Sequence, residues 1–271
     1  MSEAALLLCN KAEEAVALDY GTLCVNVPES TDSPIDEYYG HVTDLVLRAG
    51  RPENAGDNVL LGLLLLELVS SAELYFRQVL ASLPGVCPLV RAHCDTQMVP
   101  FGAMSYYSED WRVLGTLEHA GLSGKGEIAK ATRNIVGIEI KDNSSPGIAL
   151  ADFEKVCQLR HAVVHARGRL WFRNLNELGL RAEQPQRVQL EVLGFQALVA
   201  KTHNAVRAYN RFVVNAVVQG WIAKNILKGK WVSDKRRFSL LHRLFYSRVD
   251  EAGEPAPRQA YEPVRKALLS R

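Results

Sequence analysis

The sequence predicts an all-α fold. Three observations carry that expectation: apolar residues recur at helical spacing over long runs, glycine- and proline-bearing breaks separate the runs, and strand signals are few and short. The 271 residues are 48% hydrophobic and 23% charged, a globular composition that excludes disordered, collagen-like and low-complexity classes. A chain of this length can bury a full core.

In chain order, residues 3–18 fit a helix and residues 22–27 a short strand. A turn-rich stretch around Pro28 and Pro34 leads to a second, short helix at 35–49, and Gly50, Pro52 and Gly56 mark 50–57 as a linker. Residues 1–58 hold eleven acids against three bases, a local net of −8, and read as an appended acidic extension. The main body, 59–219, opens with a helix at 59–83 whose Leu60, Leu64, Leu68, Leu74, Val79 and Leu83 cover much of its circumference. That is the pattern of a central core helix, and Pro84-Gly85 should end it. Residues 87–94 read as the loop after it. Further helices are expected at 104–120, closed by Gly121, at 127–139, at 150–166, ending before Gly168, and at 187–219. Residues 141–147 form a break, and 169–172 a second short strand. Several long helices with little sheet make a helical bundle. Residues 220–271 read as a basic C-terminal helical extension, with a Pro-containing linker at 251–263 before a short basic helix.

Several classes fall away. The strongly apolar run 59–69 is too short to span a bilayer, and Met1-Ser2-Glu3 lacks the basic start of a leader, so a soluble cytoplasmic protein without membrane contact is expected. Five scattered cysteines read as reduced thiols rather than a disulfide framework. Cys87, His93 and Cys94 cluster, but no second close pair follows to complete a zinc site. Residues 121–126 lack the glycine spacing and hydroxyl residue of a phosphate-binding P-loop. No metal and no cofactor are expected.

The informative segment is 152–168. Phe153, Val156, Cys157, Val163 and Val164 form its apolar stripe, and Arg160, His161 and His165 lie off it. On an ideal helix His161 and His165 share a face one turn apart, and the long Arg160 side chain could bridge toward His165 near the helix end. There the helix dipole favours an imidazolium. Imidazoles move protons near neutral pH, and a guanidinium grips phosphate through two donors. Together they suit RNA cleavage through the neighbouring 2′-hydroxyl: one group removes its proton, one protonates the leaving 5′-oxygen, and Arg160 stabilises the phosphorane. A single copy supplies few such groups, so symmetric pairing of two copies would help. By spacing alone, a helix end with a surface Arg and a capping His is the plainer reading.

Arg160-His161-Ala162-Val163-Val164-His165, ending a helix just before Gly168, resembles the Arg-x4–6-His signature of the HEPN superfamily. In that pattern the residue after Arg is usually polar, as His161 is. The run 71–80 is similar to the first long helix of HEPN proteins of the RiboL-PSP type, and the resemblance covers roughly 59–218. It implies a helical bundle that dimerises so that two Arg/His motifs meet in one cleft. It further implies a metal-independent endoribonuclease, a toxin or anti-phage effector, with an antitoxin or defence-system protein as a further partner. Some members have lost activity, so a non-catalytic RNA- or nucleotide-binding subunit is the alternative. In toxins silenced by nucleotidylation a Tyr stands two residues after the motif His. Arg167 holds that place here, so that control should be missing.

Two further features bear on RNA. Glu73, on the first core helix, could orient Arg160 through a carboxylate–guanidinium pair; a solvated surface acid is the plainer reading. Residues 201–248 hold eleven bases against one acid, Asp234, a net of +10. Within them Lys224, Lys228, Lys230, Lys235, Arg236, Arg237, Arg243 and Arg248 alternate with Trp221, Trp231, Phe238, Phe245 and Tyr246. Cations for phosphates and rings for unpaired bases make a single-strand RNA surface; the same rings could instead form a small satellite core. A third possibility is a helical scaffold or antitoxin-like protein that engages a partner through its acidic arm.

Overall fold

A computed structural model describes residues 15–27, 30–250 and 256–270. The chain divides into two compact units, 1–31 and 32–271. Most of the helix expected at 3–18 lies outside the described residues, and 15–18 carry no regular structure. No strand forms at 22–27: Tyr20–Leu23 is a 3-10 turn, started by Asp19, whose Oδ1 accepts from the Gly21 N–H at 2.9 Å. Among the described residues, 24–27 have no ladder partner.

The second unit is helical, with eleven α-helices among the described residues. They are α1 (Pro34–Ala49), α2 (Asn58–Val86), α3 (Pro88–Cys94), α4 (Phe101–Tyr106), α5 (Leu114–Leu117), α6 (Lys125–Val136), α7 (Ser145–Ala166), α8 (Phe172–Leu178), α9 (Val192–Ala223), α10 (Trp231–Phe245) and α11 (Pro257–Leu269). β1 (Arg169–Leu170) and β2 (Gln186–Arg187) form a minimal antiparallel pair.

Four of these helices, α1, α2, α7 and α9, surround one core. At its centre Phe76 meets Phe153 and Tyr209 with ring centroids 5.9 and 5.0 Å apart, and Tyr75 meets Tyr38 at 6.1 Å. The α1 sequence explains its place. Ser33 caps it, Pro34 suits its first turn, and Ile35, Tyr38, Tyr39, Val42, Leu45 and Ala49 form its buried stripe. So the second helix of the expected acidic arm belongs to the core rather than to an appendage. The linker after it carries a 3-10 turn, Pro52–Asn54, and Asn54 Nδ2 donates to the Arg48 carbonyl at 2.8 Å, closing the end of α1.

Several boundaries differ from the sequence reading. Pro84 does not end α2, which continues to Val86. Within the last turn a proline leaves one carbonyl without a donor, and burial of Leu83 outweighs that. The 29-residue α2 is long and apolar enough to cross a membrane by composition, with a mean hydropathy of 1.8, yet Leu61, Leu65, Leu68 and Phe76 are packed inside the body. Residues 88–94 are a helix rather than a loop. The helix expected at 104–120 is three short pieces, because the chain turns back so that Gly115 rests on Ala103; a Cβ there would lie 2.6 Å from that of Ala103. Helix α7 begins at Ser145, inside the expected break. Ser144 Oγ accepts from the Gly147 N–H at 3.3 Å, and Gly147 lies against the carbonyls of Lys141 and Asp142. The long helix begins at Val192, because Gln186 and Arg187 pair with Leu170 and Arg169 instead. The strand expected at 169–172 is thus two residues long, and α8 follows at once.

Cys87 and Cys94 act in packing. Trp221 Nε1 donates to Cys87 Sγ at 3.1 Å, Cys94 Sγ donates to the Ile135 carbonyl at 3.2 Å, and His93 Nε2 meets the Arg133 carbonyl at 3.1 Å. Among the described residues no three His, Cys, Asp or Glu side chains gather as a metal site would need.

Candidate functional site: the end of helix α7

Helices α2 and α7 run antiparallel, since Phe76 faces Phe153 and Gly62 lies within 3.3 Å, by an added Cβ, of Val163. Helical side chains lean toward their own N-terminus, so Arg160 on α7 and Glu73 on α2 lean toward each other. They meet: Arg160 Nη2 lies 3.2 Å from Glu73 Oε1, and both side chains are largely covered. Sequence reasoning had two uses for Arg160, a bridge to His165 and a pair with Glu73, and the structure makes the second. Burial raises the Glu73 carboxyl above its ordinary range, against the pull of Arg160 and Arg77. Arg77, one turn on, donates to the carbonyls of Leu117 and Ala120 and holds the loop ahead of α6.

His161 and His165 stand together at the exposed C-terminal turn of α7, their ring centroids 4.4 Å apart at 49°. Partial burial lowers the His161 pKa, and repulsion from its neighbours His165, Arg160 and Arg173 lowers it further. The helix stops there because Arg167 (φ 51°) and Gly168 (φ 87°) both take the left-handed conformation, and the Gly168 N–H returns to the Ala162 carbonyl at 2.9 Å. The chain is then caught by β2, through the Val188 N–H on the Gly168 carbonyl at 2.8 Å. That turn delivers α8 alongside the site.

Beside Arg160 and His161 is a pocket of about 210 Å³, lined also by Ser123, Gln158, Trp171, Arg173 and Asn174. Buried Asn174 receives the Trp171 N–H at 3.0 Å and donates to Gln158 Oε1 at 3.1 Å, tying α8 to α7. Of these only Arg160 and His161 stood out in the sequence. Trp171 and Arg173 follow the Gly168 turn directly, and a short Trp-x-Arg run after a left-handed glycine was the available signal. Cys157 also lines the pocket, its thiol pushed well above its ordinary range by burial and the neighbouring Glu73.

The basic C-terminal residues divide. Lys224, Lys228, Lys230, Lys235, Arg236, Arg237 and Arg243 are exposed. The rings are not: Trp221, Phe238 and Phe245 are buried, and Trp231 and Phe238 pack with Tyr261 of α11 at 5.4 and 5.2 Å. Trp221, Phe238 and Phe245 therefore belong to the main hydrophobic core, with Trp231 packed against it, rather than to a separate satellite, and the cations are its wet rim. Asp234 is interior, accepting from the Lys228 and Gly229 N–H groups and from the Tyr261 hydroxyl. Arg91 joins Arg236 and Arg237 around a cleft of about 430 Å³, and Arg236 also borders a second depression with Lys235 and Arg243. Arg236 thus links the two depressions along α10. Compared with family models, characterised proteins and solved structures, the chain matches none.

Proposed function

We propose that the protein is a metal-independent endoribonuclease of HEPN type, with Arg160, His161 and His165 as its catalytic residues and Glu73 as a positioning residue. The observation that supports this most is the pair of imidazoles at the exposed end of α7, one of which, His161, lines a pocket with the carboxylate-held guanidinium of Arg160. His161, held toward its neutral form, takes the proton of the 2′-hydroxyl as that oxygen attacks phosphorus. His165 gives a proton to the 5′-oxygen as the P–O5′ bond breaks, and Arg160 stabilises the charge that builds on the phosphorane. The products are a 2′,3′-cyclic phosphate and a 5′-hydroxyl. The exposed cations between Lys224 and Arg243 hold the RNA backbone, so binding weakens steeply with salt. The reading includes a homodimer, because base and acid must act on opposite sides of one phosphorus while the two imidazoles of one chain stand side by side, so that a second copy would supply one of them. It also casts the enzyme as a toxin or defence effector that a partner protein restrains.

A non-catalytic RNA- or nucleotide-binding subunit is the second reading, favoured by one observation: Glu73 already engages the Arg160 guanidinium. Incubation of RNA and of matched DNA with the protein in excess EDTA separates the two. The ribonuclease leaves DNA intact and cuts RNA to cyclic-phosphate ends, and one 2′-deoxy sugar at the cut blocks it. Activity lost on chelation and restored by Mg²⁺ would overturn the mechanism.

A further inference from the structure

We infer that the pocket between the end of α7 and the start of α8 is a nucleobase subsite. It takes the base next to the phosphate gripped by Arg160, stacked on Trp171 and read by the Gln158 amide. This rests on the ribonuclease reading for the polymer that carries the base.

The hydrogen bonds in the pocket wall fix its polarity. The Trp171 backbone N–H can only donate, so Asn174 turns Oδ1 toward it. The Nδ2 of Asn174 then faces Gln158, which must present Oε1. The Gln158 NH2 group is left over, and among the described residues nothing accepts from it. It gives the pocket two donors whose orientation is locked by Asn174, itself only 2% exposed.

The other lining groups suit a flat, neutral ring joined to an anion. Trp171 leaves 54% of its surface open although it lines the pocket. Unpaired bases stack on such faces. Arg173 beside it has no carboxylate partner among the described residues and adds a second phosphate-binding cation to Arg160. Ser123 adds a hydroxyl that can donate or accept. At about 210 Å³ the pocket is smaller than drug-sized ligand sites, which run from about 300 to 1,000 Å³, and has room for a single base. Two adjacent donors prefer an edge rich in carbonyl acceptors, so uracil and guanine should bind better than adenine.

Calorimetric titration of the full chain with ribonucleoside 3′-monophosphates, and with ribose 5-phosphate as the base-free control, tests this. Uridine and guanosine monophosphates should bind about tenfold or more tighter than ribose phosphate. Trp171→Ala should remove that advantage, and Trp171→Phe should keep most of it. Gln158→Glu still accepts from Asn174 but no longer donates, and should erase the preference for uridine over adenosine. Nucleotides that bind no better than ribose phosphate, or a preference untouched by Trp171→Ala, would overturn the subsite. Base-selective binding by a protein that cuts no RNA leaves the subsite standing and sinks the ribonuclease reading. RNA cleavage without base preference, unchanged in Trp171→Ala, does the reverse.

Discussion

Arg160 and His165 differ in how far the fold depends on them. His165 is exposed, while the Arg160 side chain is one-quarter exposed and supplies the nearest cation to a carboxylate that burial already disfavours. Replacing either by Ala should lower RNA cleavage by roughly 10²-fold, the size of lost acid–base or electrostatic help. The two variants should part company in thermal melts. His165→Ala should melt as the parent does. Arg160→Ala should be about 1 kcal/mol less stable, because Glu73 keeps its covered position without a counter-charge. A Glu73→Gln change in the Arg160→Ala background should restore that stability without restoring cleavage. If it restores neither, Glu73 is not the cause.

At the scale of elements, α7 depends on its first turn as much as on its last. A Cβ on Gly147 would lie 2.2 Å from the Lys141 carbonyl oxygen and 2.9 Å from that of Asp142. Both are backbone atoms and cannot swing aside. Gly147→Ala should therefore cost about 2 kcal/mol or more and lower the melting temperature clearly, whereas Gly126→Ala, with open space around it, should not. An unchanged melt for Gly147→Ala would contradict this packing. The same glycine shows where sequence reasoning stops. Asn143, Ser144, Pro146 and Gly147 look like a break, yet Ser144 is a cap and Pro146 suits a first turn. Helices α1, α2, α6 and α9 were legible because each must bury one face, which imprints a helical period on residues such as Ile35, Tyr38 and Val42. The start of α9 and the existence of α8 were not, since both depend on Arg187 meeting Arg169 across the intervening residues 171–185. In the site, the His161–His165 neighbourhood follows from helical spacing alone. The choice of Arg160 between His165 and Glu73 was decided by the antiparallel run of α2, which local periodicity does not encode.

Across the whole molecule, a polar seam joins α1, α9 and the chain after α10. The Tyr38 hydroxyl and His203 Nδ1 are 2.9 Å apart, Tyr39 donates to Asp250 at 2.9 Å, and Arg207 reaches Tyr39 at 2.6 Å and Asp250 at 2.8 Å. Burial, helped by Arg207 and opposed by Asp250, lowers the His203 pKa from 6.5 to about 4. The unfolded chain takes up this proton near pH 6.5 and the folded one only near pH 4. The His203 contribution is thus complete above about pH 6.5 and declines as pH falls toward about 4. Melting temperatures recorded across that window should fall with pH, and more gently in His203→Gln, which offers Tyr38 an acceptor but does not titrate. Equal slopes for both proteins would assign the loss to other groups.

The seam also orders events during synthesis. Asp36 near the start of α1 accepts from the Ser247 hydroxyl at 2.8 Å and the Arg248 N–H at 3.1 Å, partners more than 200 positions later in the chain. A nascent chain therefore emerges with the Arg160–His165 turn translated well before α1 can be closed over its core. Pairings of such long separation come late and slowly. A ribosome stalled before residue 247 would hold α1 without its latch, so the final closure of the body waits on the translation of Ser247 and Arg248.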